Sequence, residues 1–159
     1  MQVSFSIEET ETDETMTNPA TPYALPATLD ADLEKVRTYW RGLIRGKASD
    51  MPYWDDVKLS SLPGLVDSLM LIEAFDKPER FRFDIVGKKL VSKYGKDFAG
   101  GFADEIDIHA PLDFIRAQAS ATVESRAPTY HRHGTYARLL LPMWGDGRIG
   151  MLLGAVSGL

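Results

Sequence analysis

The chain of 159 residues contains no cysteine. That excludes a disulfide framework, zinc ribbons, iron–sulfur clusters, thiol nucleophiles and cysteinyl-flavin photochemistry. Long apolar runs are missing too, and none approaches the ~20 residues that span a bilayer. The opening residues, MQVSFSIEETETDET, have neither a basic start nor a long apolar segment. They do not read as a secretory signal, and we expect a cytoplasmic protein with no membrane partner. Basic charge is scarce at one end. Of 23 acidic residues, five (Glu8, Glu9, Glu11, Asp13 and Glu14) fall within residues 1–28, which hold no Lys or Arg. The rest of the chain balances its 18 basic residues with as many acidic ones, so the net charge of −5 belongs to the N-terminal segment. A neutral body without a basic stripe argues against nucleic acid as a partner. Also lacking are a nucleophile elbow, a phosphate-binding glycine loop and a dinucleotide fingerprint, because Gly95, Gly100 and Gly101 have neither the context nor the spacing.

What remains is an ordinary globular composition, 44% apolar and 26% charged, long enough to bury a core as one domain. We divide the chain into an acidic, Thr- and Pro-rich tail over residues 1–28 and a domain over 29–159. The tail buries too little apolar surface to offset its ordering entropy. Within it Val3, Phe5 and Ile7 alternate with polar residues, as in a short half-buried strand.

A helix is expected over Leu29–Arg45, capped by Thr28 or Asp30 and stopped by Gly46. Leu29, Leu33, Val36, Trp40 and Leu43 are spaced 4, 3, 4, 3, a narrow seam that suits packing on its own domain or against a second helix. Ser68–Phe75 and Arg80–Val86 flank a four-residue turn and read as a hairpin. In its second strand Phe81, Phe83 and Ile85 should share one face. Two helical turns are expected over Lys88–Tyr94, and a longer helix from Pro111 to about Arg126. An extended run over Thr129–Pro142 is joined through Gly145-Asp146-Gly147 to a last strand, Arg148–Val156. That strand is apolar on both faces, so it belongs at the centre of the sheet. The fold class is α+β. We expect a five-stranded antiparallel sheet with the first and last strands adjacent at its centre, short helices on one face, and the N-terminal helix covering the other.

Several stretches resemble a bacterial PAS-like family first catalogued as a domain of unknown function. They are Tyr39-Trp40, LPGLVDSLMLIEAF (Leu62–Phe75), RFRFDIVGKKLVSKYGKDFAGG (Arg80–Gly101), the helix PLDFIRAQ, and YARLLLPMWGDGRIGMLLGAV (Tyr136–Val156). The resemblance covers about residues 30–157 and implies a PAS-like sheet. It also implies a module that senses a small molecule, light or redox state, or that mediates dimerisation. We expect it to act in trans, through a small ligand or a signalling partner, and to form a homodimer through its flanking helix. Leu33, Val36, Trp40 and Leu43 are the interface candidates.

Candidate chemistry is thin. His131 and His133 share a strand face, but His109 lies in a distant loop, so no metal site is assigned. Haem-binding PAS domains carry a histidine near His109, though within the helix, so the cofactor stays unknown. Asp104, Glu105 and Asp107 read as a solvated loop, and an Asp107–His109 acid/base pair has no supporting geometry in a sequence. The better candidate is an aromatic layer between sheet and short helices, built from Phe83, Ile85, Tyr94, Phe98 and Phe114, with Arg116 and Tyr130 to orient a ligand. The same rings also suit a simple packed core. No catalytic residue is assigned. The leading reading is a single-domain PAS-like regulatory or sensor protein, not an enzyme. The alternatives are a ligand-free interaction module and a small cofactor-free isomerase or dehydratase.

Overall fold

The computed structural model describes residues 21–46 and 49–159. The alternating Val3, Phe5 and Ile7 lie outside them. A short 3-10 turn at Thr21–Tyr23 leads into α1 (Ala31–Gly42). Asp30 precedes the helix, and its carbonyl accepts the Glu34 amide at 2.9 Å. The Asp30 carboxylate does not cap the helix. It accepts from Arg132 at 3.2 Å and from the Ser157 hydroxyl, so the helix start is tied to the sheet. The helix ends before the expected Arg45, where Leu43 donates to the Trp40 carbonyl in a tighter turn.

Five strands follow: β1 (Leu69–Phe75), β2 (Arg80–Val86), β3 (Thr129–His133), β4 (Tyr136–Gly145) and β5 (Arg148–Ser157). They form one antiparallel sheet in the order β2-β1-β5-β4-β3. The first and last strands among the described residues are therefore neighbours and β5 is central, as its two apolar faces require. Asp146 and Gly147, at φ 57° and 77°, make the tight β4–β5 turn, whose twist matches that of the flanking strands. The expected single run from Thr129 to Pro142 is instead two strands. Gly134, at φ 62°, folds β3 back onto β4.

Alternation divides the sheet into two faces. Met70, Ile72, Phe83, Leu140 and Leu152 belong to the inner face, where α2 (Lys88–Tyr94) and α3 (Ile115–Ser125) pack. Leu139, Leu141, Met151 and Leu153 belong to the outer face, where α1 lies over β4 and β5. Leu33, Val36 and Trp40 are only 1%, 1% and 4% exposed within a single chain, and the Trp40 indole donates to the Pro142 carbonyl at 2.9 Å. Of the two packings that the expected seam allowed, the one described here is against its own sheet. Leu33, Val36 and Trp40 have no surface to give to a second helix, Leu43 is half-buried, and the face α1 leaves exposed carries Asp32, Lys35, Thr38 and Arg41. Spacing of 4 and 3 fits a sheet as well as a partner helix.

No helix among the described residues is long and apolar enough to cross a membrane.

The link from β2 into α2 depends on close approach. Gly87 donates to the Leu69 carbonyl at 2.8 Å, and a Cβ there would collide with the backbone carbonyl of Asp67. Gly87→Ala should therefore lower stability by about 1–3 kcal/mol. Gly64→Ala, with open space around it, should leave the midpoint of denaturant unfolding almost unchanged.

Candidate functional site

The inner face carries two adjoining assemblies, one aromatic and one polar. In the first, Phe83 on β2 meets Phe98 edge to face at 4.9 Å, and Phe98 meets Tyr94 of α2 at 4.8 Å. All three are at most 4% exposed. Tyr94 donates its hydroxyl to the Asp107 carbonyl at 2.5 Å, and burial followed by the Asp107 charge pushes its pKa up. His109 stacks on Tyr94 at 4.1 Å. Its Nε2 bonds the Tyr94 carbonyl at 2.8 Å and its Nδ1 lies 3.3 Å from Asp107. The Nε2 is thus engaged by the backbone of α2. The Asp107–His109 pair does form, at the surface.

Ile85 and Phe114 do not join this layer. β1 and β2 slip register between Leu71 and Ile72: Ile72 faces Phe83 and Leu71 faces Ile85, so Asp84 is an extra residue. Such a bulge moves the next side chain to the opposite face. Ile85 therefore sits on the outer face, 46% exposed. Phe114 is 57% exposed because α3 begins four residues later than expected, at Ile115, and Phe114 precedes it in the left-handed region at φ 62°. Arg116 is exposed on α3 and lines an open groove of about 370 Å³ with Ile108, Asp113, Phe114, Ile115 and Ala117. Tyr130 falls in the outer-face register of β3, where its hydroxyl accepts from Arg132 at 3.2 Å. Arg116 and Tyr130 thus lie on opposite faces and do not converge on one ligand.

The polar assembly explains the late helix start. Arg138 of β4 points inward and is fully buried. Its Nε donates to Gln118 Oε1 at 2.7 Å, and its two terminal nitrogens donate to the carbonyls of Pro111 and Asp113 at 2.8 and 2.7 Å. Those carbonyls would have to serve helix bonds if α3 began at Pro111. Gln118 in turn donates to Thr129 Oγ1 and to the Arg138 carbonyl, both at 3.2 Å, and Thr122 shares a 2.6 Å bond with Thr129. Every strong donor finds an oxygen, as a buried charge requires. Burial pulls the Arg138 pKa down to about 10, against the upward pull of Tyr136 and Asp113, so the side chain is still a cation at neutral pH. The Tyr136 hydroxyl donates to Asp113 Oδ2 at 2.8 Å, and burial with that bond pushes its pKa up to about 12.

Along the edge of this network run His131 and His133, their rings 6.1 Å apart and nearly parallel. Phe114 stands edge-on to both, at 5.5 and 6.2 Å. No group of three His, Asp or Glu side chains among the described residues is placed to hold a metal. Sequence periodicity does not single out Arg138, Gln118, Thr122 or Thr129. A signal was nevertheless present, since Arg138 is the lone charge in a strand of otherwise apolar or small residues, YARLLLPMWG.

No family model matches the chain, and neither a curated protein nor a solved structure matches it.

Two stability measurements test this geometry. Phe83→Ala should cost about 3–5 kcal/mol, the range for a buried aromatic, whereas Phe114→Ala should cost less than about 1 kcal/mol. Arg138→Lys keeps the charge but loses the planar fork that reaches three oxygens at once, and should cost about 2–3 kcal/mol in equilibrium unfolding.

Proposed function

We propose that the chain is a PAS-like regulatory module that acts in trans by binding a partner protein. What supports the family reading is the strand order, with the last strand central, short helices on one face and α1 on the other. The observation that carries partner binding over ligand sensing is the packed state of the aromatic layer. Phe83, Tyr94 and Phe98 fill one another's space, while large apolar side chains are left at the surface instead. Tyr53, Trp54 and Ile85 are 49%, 48% and 46% exposed. Trp54 lines an outer-face groove of about 180 Å³ with Glu73, Asp84, Gly145 and Met151, and Ile85 adjoins it through Asp84. Apolar surface of this kind, rimmed by charge, is the ordinary footprint of a protein interface.

Native mass spectrometry of the full chain reads bound ligand and subunit count together. Partner binding predicts the bare polypeptide mass or assemblies of it, without a stoichiometric small molecule. A small molecule retained one per chain would return the reading to ligand sensing. A mass of two chains, lost in Ile85→Asp or Trp54→Ala, would make the partner a second copy held by this face.

A further inference from the structure

The two edges of the sheet are finished differently. The β2 edge is covered by the segment that follows α2. Phe83 exchanges backbone bonds with Gly101 and Gly100 at 2.9 and 2.6 Å, and Ala103 donates to Phe81 at 2.8 Å. The β3 edge has no such backbone cover among the described residues. It is held by rings instead. His131 lies 5.9 Å from Tyr23 in the N-terminal turn and 5.5 Å from Phe114, and stacks on His133. His133 lies 6.0 Å from Tyr136 on β4.

One nitrogen in this clasp is unsatisfied. His131 Nε2 is buried and has no hydrogen-bond partner among the described residues. A proton placed there would need a counter-charge. The groups facing His131 are Arg138, directly across on β4, His133 on its own strand, Tyr136 and Tyr23, which are neutral phenols, and Asp113 before α3. Asp113 is the sole anion of the set, and Tyr136 already donates to its carboxylate. The Arg138 cation is fixed in place by its three oxygen partners. The site therefore tolerates a neutral His131 and opposes a charged one.

We propose that His131, with the His133 ring stacked on it, is an acid-sensitive latch that holds edge strand β3 between Tyr23 and Phe114 while the His131 ring is neutral and releases it when that ring is protonated. The proposal stands on the surroundings of β3 and does not need the partner-binding reading. The direction of titration agrees with it. Burial, then Arg138, then His133 push the His131 pKa below the ordinary histidine value, and Asp113 opposes them weakly. The closed strand thus binds a proton less readily than the open one. The stability that neutral His131 lends is complete above the ordinary value of about 6.5, and is lost as pH falls through the depressed value. Each unit of pH in that window favours the open strand up to about tenfold more.

Hydrogen exchange on the full chain, corrected for intrinsic rates, tests this between about pH 7.5 and about pH 5. Amides of Thr129–His133 should lose protection about tenfold on acidification while those of β1 and β5 keep theirs. His131→Phe retains a ring and removes the proton site, so its β3 protection should not change with pH. NMR titration of the native chain supplies a reading that needs no variant, and His131 should titrate below the range of a free histidine. Constant β3 protection across the interval overturns the latch. So does an equal loss in His131→Phe, or an ordinary His131 titration that leaves the β3 amides unmoved.

Discussion

A single guanidinium governs the inner half of the molecule. Arg138 projects from a strand that is otherwise core, and a cation buried there is tolerated only if oxygen surrounds it. The chain supplies that oxygen from Gln118 on α3 and from the carbonyls of Pro111 and Asp113 before it. Three consequences follow. The helix begins past Pro111, with the carbonyls of Pro111 and Asp113 turned to the guanidinium. Phe114 takes the left-handed conformation that turns the chain into α3, and its ring is left at the surface. Gln118, fixed by the arginine, then orients Thr129, which anchors β3 to the helix layer. The fork geometry matters more than the charge, since one planar group reaches three acceptors at once.

The outer half depends on apolar packing. α1 sets Leu33, Val36 and Trp40 on β4 and β5, and the Asp30 carboxylate fastens its start to Arg132 and Ser157. The helix does not cover all of the sheet. Trp54 closes against Gly145, where a Cβ would already press on the indole, and Ile85 stands beside this region without a cover. The apolar surface left to the solvent thus lies where α1 ends its coverage. The inner face is sealed at the corresponding strands by Phe98 and Tyr94.

Much of this architecture is legible from local pattern. The two-sided apolar run of Arg148–Val156 places β5 at the centre, Asp146-Gly147 marks the β4–β5 hairpin, and Lys88–Tyr94 is a helix closed by Gly95, as its sequence indicates. The failures share a cause. Strict alternation puts Ile85 beside Phe83, but alternation has no way to register the extra residue at Asp84. Helical spacing extends from Leu112 through Val123, but the helix start is decided by an arginine from a strand much later in the chain. The 4-3 seam of α1 describes a stripe without naming what covers it. The candidate site was legible to the same extent. Phe83, Tyr94 and Phe98 meet as their strand and helix periods require, whereas the Arg138 network is a contact between side chains of three successive elements that no single period describes.

The unequal finish of the two sheet edges limits how copies of this chain can associate by strand pairing. Where an edge is already bonded to its own following segment, as β2 is at Phe81 and Phe83 to residues 100–103, it offers no backbone groups to a further strand. Were β3 to pair with β3 of another copy, the joined sheet would end in two occupied β2 edges. The symmetry of that union is closed, so it stops at a pair and cannot propagate into a fibre.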